Sequence, residues 1–302
     1  MRTEKNTGST SEAVPRQGGR WSRERRLEFI DYRLRWEGRL NRSDLIDFFG
    51  ISVPQASLDI AKYAELAPNN LRYDRSGRVY LTGEAFAPVF ETGNPKRYLN
   101  DLIASTLGLV PPETSFMGWS PNVALTPSPG RVIPVDSLVL LLRAMRQQQM
   151  VVVTYQSMSQ AEPTERVLSP HALAHDGFRW HIRAYCHSRK DFRDFLVARM
   201  LAVRSGASSD VSVEADTQWS TVVKLVLTPN PELSASRRRV IEMDYGMTSG
   251  EAVLECRQAL LFYLLKQLGF DGRNSSSPEA QQVVLKNAAE VAQYRGGTAN
   301  GV

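Results

Sequence analysis

The 302-residue chain contains no run of about 18 apolar residues, the length needed to cross a bilayer; its longest apolar stretches, such as residues 138–142, fall far short. The N-terminus, MRTEKNTGSTSEAVPRQGGR, also lacks the apolar centre of a secretory signal, so a cytoplasmic location is expected. Cysteine is scarce: Cys186 and Cys256 lie far apart and form no CxxC pair. This argues against a disulfide framework and a cysteine-based zinc site, and leaves two small buried hydrophobes. Histidine is confined to one region, at His171, His175, His181 and His187. His171 and His175 share a face only in a helix, which Pro170 opposes. No HExxH, paired carboxylates or nucleophile with its base accompanies them. No catalytic residues, metal or other cofactor are therefore expected, and the chain is not read as an enzyme.

What is present is ordinary in amount and uneven in place. A content of 42% hydrophobic and 23% charged residues suits a globular protein, and the length allows two or three domains. Between Arg16 and Arg42 stand nine arginines against four acids, an excess that equals the net charge of +5 of the whole molecule. Positive charge concentrated at one end suits a surface that meets phosphates.

From Ser22 to Glu37, Leu27, Ile30 and Leu34 recur at helical spacing. A second short helix reads from Ser43 to Phe49 and stops at Gly50. The next segment, ISVPQASLDIAKYAE, has Ser52 with Gln55 three residues later, the spacing of a capping box, and Pro54 in the first turn; a third helix is expected from Val53. This is a helix-turn-helix whose last helix enters the major groove. Ala56, Ile60 and Tyr63 fall on its core stripe, while Gln55, Ser57, Asp59 and Lys62 fall outside it. LRYDRSGRVYL then reads as a hairpin, with Gly77 supplying positive φ in the turn. The whole is a winged helix-turn-helix. Its candidate DNA contacts are Ser43, Ser52, Gln55, Ser57 and Lys62, with Arg72, Arg75 and Arg78 on the wing.

Residues 83–133 change character, with a helix expected from Pro95 and then a proline-rich linker. VDSLVLLLRAMRQQQ gives a helix with Leu138, Leu141, Leu142 and Met145 inward. Several short strands follow, with Asp176-Gly177 as a strong hairpin turn, and they suggest a small barrel of the SH3 or Sm kind. In GFRWHIRAYC, alternation puts Phe178, Trp180, Ile182 and Ala184 on a core face and Arg179, His181, Arg183 and Tyr185 on the other. Further on, EAVLECRQALLFYLLKQLGF is expected to be one long helix ended by Gly269.

The segment RVLSPHALAHDGFRWHIRAYC followed by FRDFLVARM resembles a WYL domain, its triplet written here as Trp180-His181-Ile182. The form with histidine is similar to the subgroup of WYL regulators found beside BREX and CBASS phage-defence operons. The resemblance runs from about Trp21 to Asp271. It implies an α+β multidomain protein: a basic disordered tail over 1–20, a winged helix-turn-helix over 21–82, a linker with a helix over 83–133, a WYL domain of Sm/SH3-like barrel fold over 134–210, and a C-terminal dimerisation extension and tail over 211–302. It also implies a ligand pocket of Tyr155, Ser157, Ser169, His171, His181, Arg183, Tyr185 and Arg199. Arginine forks and stacking rings there suit a nucleotide or oligonucleotide. The expected function is a homodimeric, ligand-responsive repressor that binds double-stranded operator DNA of a phage-defence operon. The alternative is an Sm-like RNA-binding or nucleic-acid-processing accessory protein.

Overall fold

A computed structural model of the chain describes residues 23–127, 129–270 and 277–295. The tail expected over 1–20 lies outside the described residues, as do 271–276 and everything after 295. The chain divides into two compact units, residues 1–127 and 128–302.

In the first unit, α1 (Arg23–Glu37) buries Leu27, Ile30 and Leu34 as their spacing requires, together with Phe29 and Tyr32. After β1 (Arg39–Leu40) comes α2 (Arg42–Phe49). Its Asn41 N–H donates to the Asp44 carboxylate at 2.6 Å, and Gly50 closes it at φ 64°. In α3 (Val53–Leu66), Ser52 Oγ accepts from the Gln55 N–H at 3.3 Å, but the expected return bond from the Gln55 side chain is absent. That amide donates instead to Asp59, one helical turn on, at 3.0 Å. Ala56, Ile60 and Tyr63 are buried as expected, and so is Asp59, which had been assigned to the solvent side. The reason is Arg26 of α1, whose guanidinium grips both carboxylate oxygens at 2.6 and 3.2 Å and makes burial tolerable.

The wing consists of β2 (Leu71–Asp74) and β3 (Val79–Thr82), antiparallel, with β1 on the far edge of β3. Positive φ falls on Arg78, at 51°, and not on Gly77 as expected. Gly77 leaves room for the Asp74 side chain, since a Cβ there would stand 2.9 Å from Asp74 Oδ2 and push that carboxylate aside. α4 (Pro95–Thr106) begins where the sequence places it, capped by Asn94. The proline-rich segment beyond it is not a bare linker. Phe116 is buried against the rings of Phe29, Phe48 and Phe49, and the N–H groups of Gly118 and Trp119 donate to Glu37 at 2.7 and 3.3 Å.

The second unit opens with α5 (Val135–Gln147), which buries Leu141 and Ala144 with Leu138 and Met145 half covered. Leu142, expected inward, is exposed because it lies one position past this stripe. Five antiparallel strands follow: β4 (Gln149–Tyr155), β5 (Thr164–His175), β6 (Trp180–Cys186), β7 (Asp191–Leu196) and β8 (Met200–Ser208). Their order is β7-β6-β5-β4-β8, and among the described residues no ladder joins β7 to β8. The sheet is therefore open, not a closed barrel. The turn of 197–199 is all that separates the two edge strands in the chain, so the sheet curls to bring them near at one end. There the Tyr155 hydroxyl accepts from the Leu196 N–H at 3.2 Å, and Arg199 O accepts from the Gln156 N–H at 3.1 Å. Gly177, at φ 88°, turns the β5–β6 hairpin as anticipated.

The remainder is α6 (Thr217–Ser220), β9 (Val222–Pro229), α7 (Ala235–Asp244), β10 (Ala252–Arg257), α8 (Leu261–Gln267), β11 (Val283–Leu285) and α9 (Ala288–Ala292). The sheet order is β10-β9-β11. The long helix expected over 251–269 is thus a strand and a shorter helix. Leu254 and Cys256 point to the core while Val253, Glu255 and Arg257 are exposed, a period of two that pairs with β9. Burial lifts the Cys256 thiol pKa to about 11, which keeps it protonated and inert at neutral pH.

Leu141 is fully buried where α5 meets the central sheet. Leu141→Ala should lower stability by about 2–5 kcal/mol through lost burial and the cavity left behind. Chemical denaturation of the full chain, with the midpoint compared at unchanged slope, measures it.

Candidate nucleic-acid interface and central polar cluster

One face of α3 is exposed along its length. Ser52, Val53 and Pro54 stand in solvent, Leu58 is 65% exposed, and Lys62 is exposed and paired with Glu65. Ser43, in the first turn of α2, is exposed as well. Ser57 is half-buried, with its hydroxyl on Val53 O at 3.0 Å. Gln55 is held by Asp59 through one amide hydrogen, which leaves its Oε1 and second N–H free for a partner outside the helix. The wing residues Arg72, Arg75 and Arg78 are all exposed, and no ion pair is formed by them among the described residues. Arg39 and Arg42 extend this cationic surface. By contrast Arg26 and Arg33 are committed to Asp59 and Glu37, so the arginine surplus of the sequence is only partly available to a ligand.

The second candidate site looks different from its sequence expectation. The polar face of β6 is covered, not open: Arg183 is 3% exposed and His181 2%. Arg183 donates through Nε and Nη2 to the two oxygens of Asp216 at 2.7 and 2.9 Å, through Nη2 to Gln218 at 3.0 Å, and through Nη1 to Asp194 at 3.3 Å. His171 Nε2 donates to the same Asp216 at 3.0 Å. His181 donates to Asp176 at 2.9 Å and lies against the ring of Tyr263, whose hydroxyl donates to Asp194 at 3.2 Å. The covering residues come from the C-terminal part of the chain, Asp216 and Gln218 at α6 and Tyr263 on α8. That is why alternation along β6 alone suggested a free polar wall.

The other expected pocket residues divide into two groups. Ser169 bonds His187 and Ser209 at 2.8 and 2.7 Å, and Tyr185 is half-buried against the rings of His187 and Phe192, the second of which also meets His171. Tyr155 instead enters the core, edge-on to Phe195. Ser157 is bonded to Ser159 at 3.1 Å in the loop after β4, and Arg199 is half-buried beyond β7. Of these expected pocket residues, His171 and Arg199 each have a buried nitrogen without a hydrogen-bond partner, Nδ1 and Nη1. A small cavity of about 70 Å³ beside His171 is lined by Ser169, Phe192, Ser209 and Ser212. Among the described residues no three His, Cys, Asp or Glu side chains gather as metal ligands.

Electrostatics explain how so many charges stay buried. Burial pushes the Asp216 carboxyl upward, but donation from Arg183, His171 and the Trp219 N–H holds it well below the usual carboxylate range. Asp176 is held low in the same way against burial, by His181, Arg179 and the N–H groups of Phe178 and Arg179. Asp194 goes the other way: burial raises it further than Arg183 and Tyr263 lower it. The residues missed by sequence reasoning, Asp176, Asp194, Asp216 and Tyr263, had no local signal except Asp176, whose turn position was visible.

Comparison with known proteins gives a consistent picture along the chain. The profile of the BrxR transcriptional regulator winged helix-turn-helix domain matches residues 22–104, that of the WYL domain residues 136–205, and that of the BrxR C-terminal dimerization domain residues 222–291. The chain is 49% identical over 280 residues to the DNA-binding transcriptional repressor CapW of Escherichia coli strain KTE188, covering 91% of this chain and 93% of that one. It is 50% identical over 277 residues to CapW of Pseudomonas aeruginosa, and 46% over 277 residues to that of Stenotrophomonas maltophilia, each at 91% and 93% coverage.

Removing one partner of the buried Arg183–Asp216 pair should be costly, so Asp216→Ala is expected to lose about 3–5 kcal/mol in urea unfolding. Both Asp176 and Asp216 have folded pKa values depressed below the unfolded one. The stability they contribute is complete above about pH 3.9 and is lost as pH falls through their folded values. Asp194, raised, works in the opposite sense. Acid titration of unfolding should therefore show a loss below about pH 4 that is shallower in Asp176→Asn and Asp216→Asn.

Proposed function

Because this chain belongs to the CapW family of DNA-binding transcriptional repressors, we propose that it is a cytoplasmic, homodimeric repressor of a phage-defence operon, released from its operator by a nucleotide-type ligand. The observation that carries the DNA-binding part is the presentation of α3. Arg26 fixes Asp59, Asp59 fixes Gln55, and the free edge of that amide has the donor–acceptor pair that reads adenine in the major groove. Ser43 and Ser52 reach phosphates from two helix starts, Ser57 and Lys62 flank Gln55, and Arg72, Arg75 and Arg78 follow the backbone alongside. The exposed Leu58 offers an apolar contact to a thymine methyl. A C-terminal dimerisation region lets two such heads read half-sites about 34 Å apart, or multiples of that spacing.

For ligand response, the Arg183 cluster supports an exchange reading. The carboxylate of Asp216 occupies the seat that a phosphate oxygen would take, between the arginine fork and His171, with Ser169 and Tyr185 beside it. His181 orients the far end of the cluster, while Tyr155, Ser157 and Arg199 shape its surroundings. A phosphate that displaces Asp216 frees the segment leading into β9, the first strand of the dimerisation region. Release of DNA then depends only on the ligand's preference for the displaced form.

Gel shifts with duplex from upstream of the protein's own operon, set against single-stranded RNA of equal length at several salt concentrations, test this reading. Duplex should be preferred. Replacing Arg75 and Arg78 by alanine should weaken all duplexes alike and reduce the salt slope by about 2, whereas Gln55→Ala should cost about 1–3 kcal/mol and relax specificity at one position. Equal affinity for the RNA would favour the Sm-like alternative.

A further inference from the structure

The aromatic rings of the first unit converge on a residue that lies outside the helix-turn-helix and its wing. Between Leu102 and Ser137, Phe116 alone is buried among the described residues, at 7% exposure. Its ring meets Phe29 and Tyr32 of α1 edge-on at 5.2 and 5.8 Å, and Phe48 and Phe49 of α2 at 5.4 and 6.5 Å. The Arg25 guanidinium lies over the same ring at 4.1 Å. Immediately beyond, Gly118 and Trp119 both donate their N–H groups to one oxygen of Glu37, the last residue of α1. The other oxygen of Glu37 accepts from Arg33 at 2.9 Å. Gly118 passes so close to that arginine that a Cβ would overlap the guanidinium. Residues 115–119 therefore form a clip, with one ring seated between two helices and its backbone fastened to the end of α1.

The seat adjoins the part of the head that aims the third helix. Phe49 ends α2, and only Gly50, Ile51 and Ser52 separate it from α3. Whatever fixes the end of α2 therefore fixes where α3 begins. Phosphate contacts survive small shifts of a helix, whereas base-edge hydrogen bonds do not, so an error here costs discrimination before it costs general affinity for duplex. The clip itself is held by one buried ring and two backbone bonds, set against the freedom of five residues, and these opposing terms are of similar size. It can leave its seat while Leu27, Ile30, Leu34, Leu45 and Tyr63 keep the head folded. The chain runs on from the clip through residues 120–134, where Pro121, Pro127, Pro129 and Pro134 limit slack, so tension along this segment bears on Phe116.

We propose that Phe116 is a positioning residue for operator reading. Seated between α1 and α2, it holds the end of α2, and through it α3, in the orientation that reads bases. Unseated, it leaves a head that grips duplex phosphates without discriminating sequence. The inference rests on the role proposed above for α3 and adds to it a control point outside the helix-turn-helix.

The test uses the full-length protein and two labelled duplexes of equal length, one from upstream of the protein's own operon and one of the same composition in scrambled order. Phe116→Ala empties the seat. Gly118→Ala removes no core atom and blocks the approach of the clip to Arg33. Each should lower the preference for the operator duplex about tenfold, the value of one well-placed base contact, with scrambled-duplex affinity and salt slope unchanged. A merely structural role would remove folded protein and weaken both duplexes by one factor. Selective loss of operator affinity in either variant supports the seat. If neither variant shows it, because preference is kept or because both duplexes weaken in parallel, the proposal is overturned. Wild-type protein that does not distinguish the two duplexes would overturn the operator reading itself and this inference with it, so the two failures are told apart by the wild-type measurement.

Discussion

The second unit depends on one buried contact, the Arg183 guanidinium clamped between Asp216 and Asp194. Arg183 is in the middle of the central sheet, Asp194 is its cross-strand neighbour, and Asp216 belongs to the segment that leads into the C-terminal sheet. Arg183 and Asp216 can be buried as charges only because each is held by several hydrogen bonds. The contact therefore does two jobs. It satisfies a strand whose polar residues would otherwise be stranded, and it ties the WYL sheet to the dimerisation region.

A similar device, on a smaller scale, organises the head. Arg26 and Asp59 join α1 to α3 where an apolar pair would serve packing equally well, but the carboxylate also holds the amide of Gln55. Packing fixes where the helix lies; the ion pair fixes how its leading side chain is presented. In both units an arginine counted at first as available for an outside anion is committed to an inside one, while the wing arginines, with Arg39 and Arg42, stay exposed.

The exposed pair Phe178 and Trp180 and the covered pair His181 and Arg183 reverse the simplest reading of β6. Alternation assigned the aromatics to the core and the cations to solvent. The alternation itself is present; what differs is which neighbours cover each face. Near the turn β6 loses its apolar cover, while α6 and α8 supply polar cover to the opposite face.

Local order was therefore legible. Helical spacing located α1, α2 and α3, the Ser52 cap and Pro95 located two helix starts, and Asp176-Gly177 located a hairpin, because each rests on interactions spanning a few residues. The β10 strand was misread since VLEC is short enough to suit either period, and only pairing with β9 decides it. The ligand face was misread for a related reason: Asp216 is 33 positions from Arg183 and Tyr263 is 69 from Asp194. No local pattern carries contacts of that range. By itself the sequence determined where α1 to α5 run, the turn at Asp176-Gly177 and which end of the chain is basic; the tertiary structure alone decided which charges are neutralised within the protein, because burial and ion pairing arise only when distant segments meet.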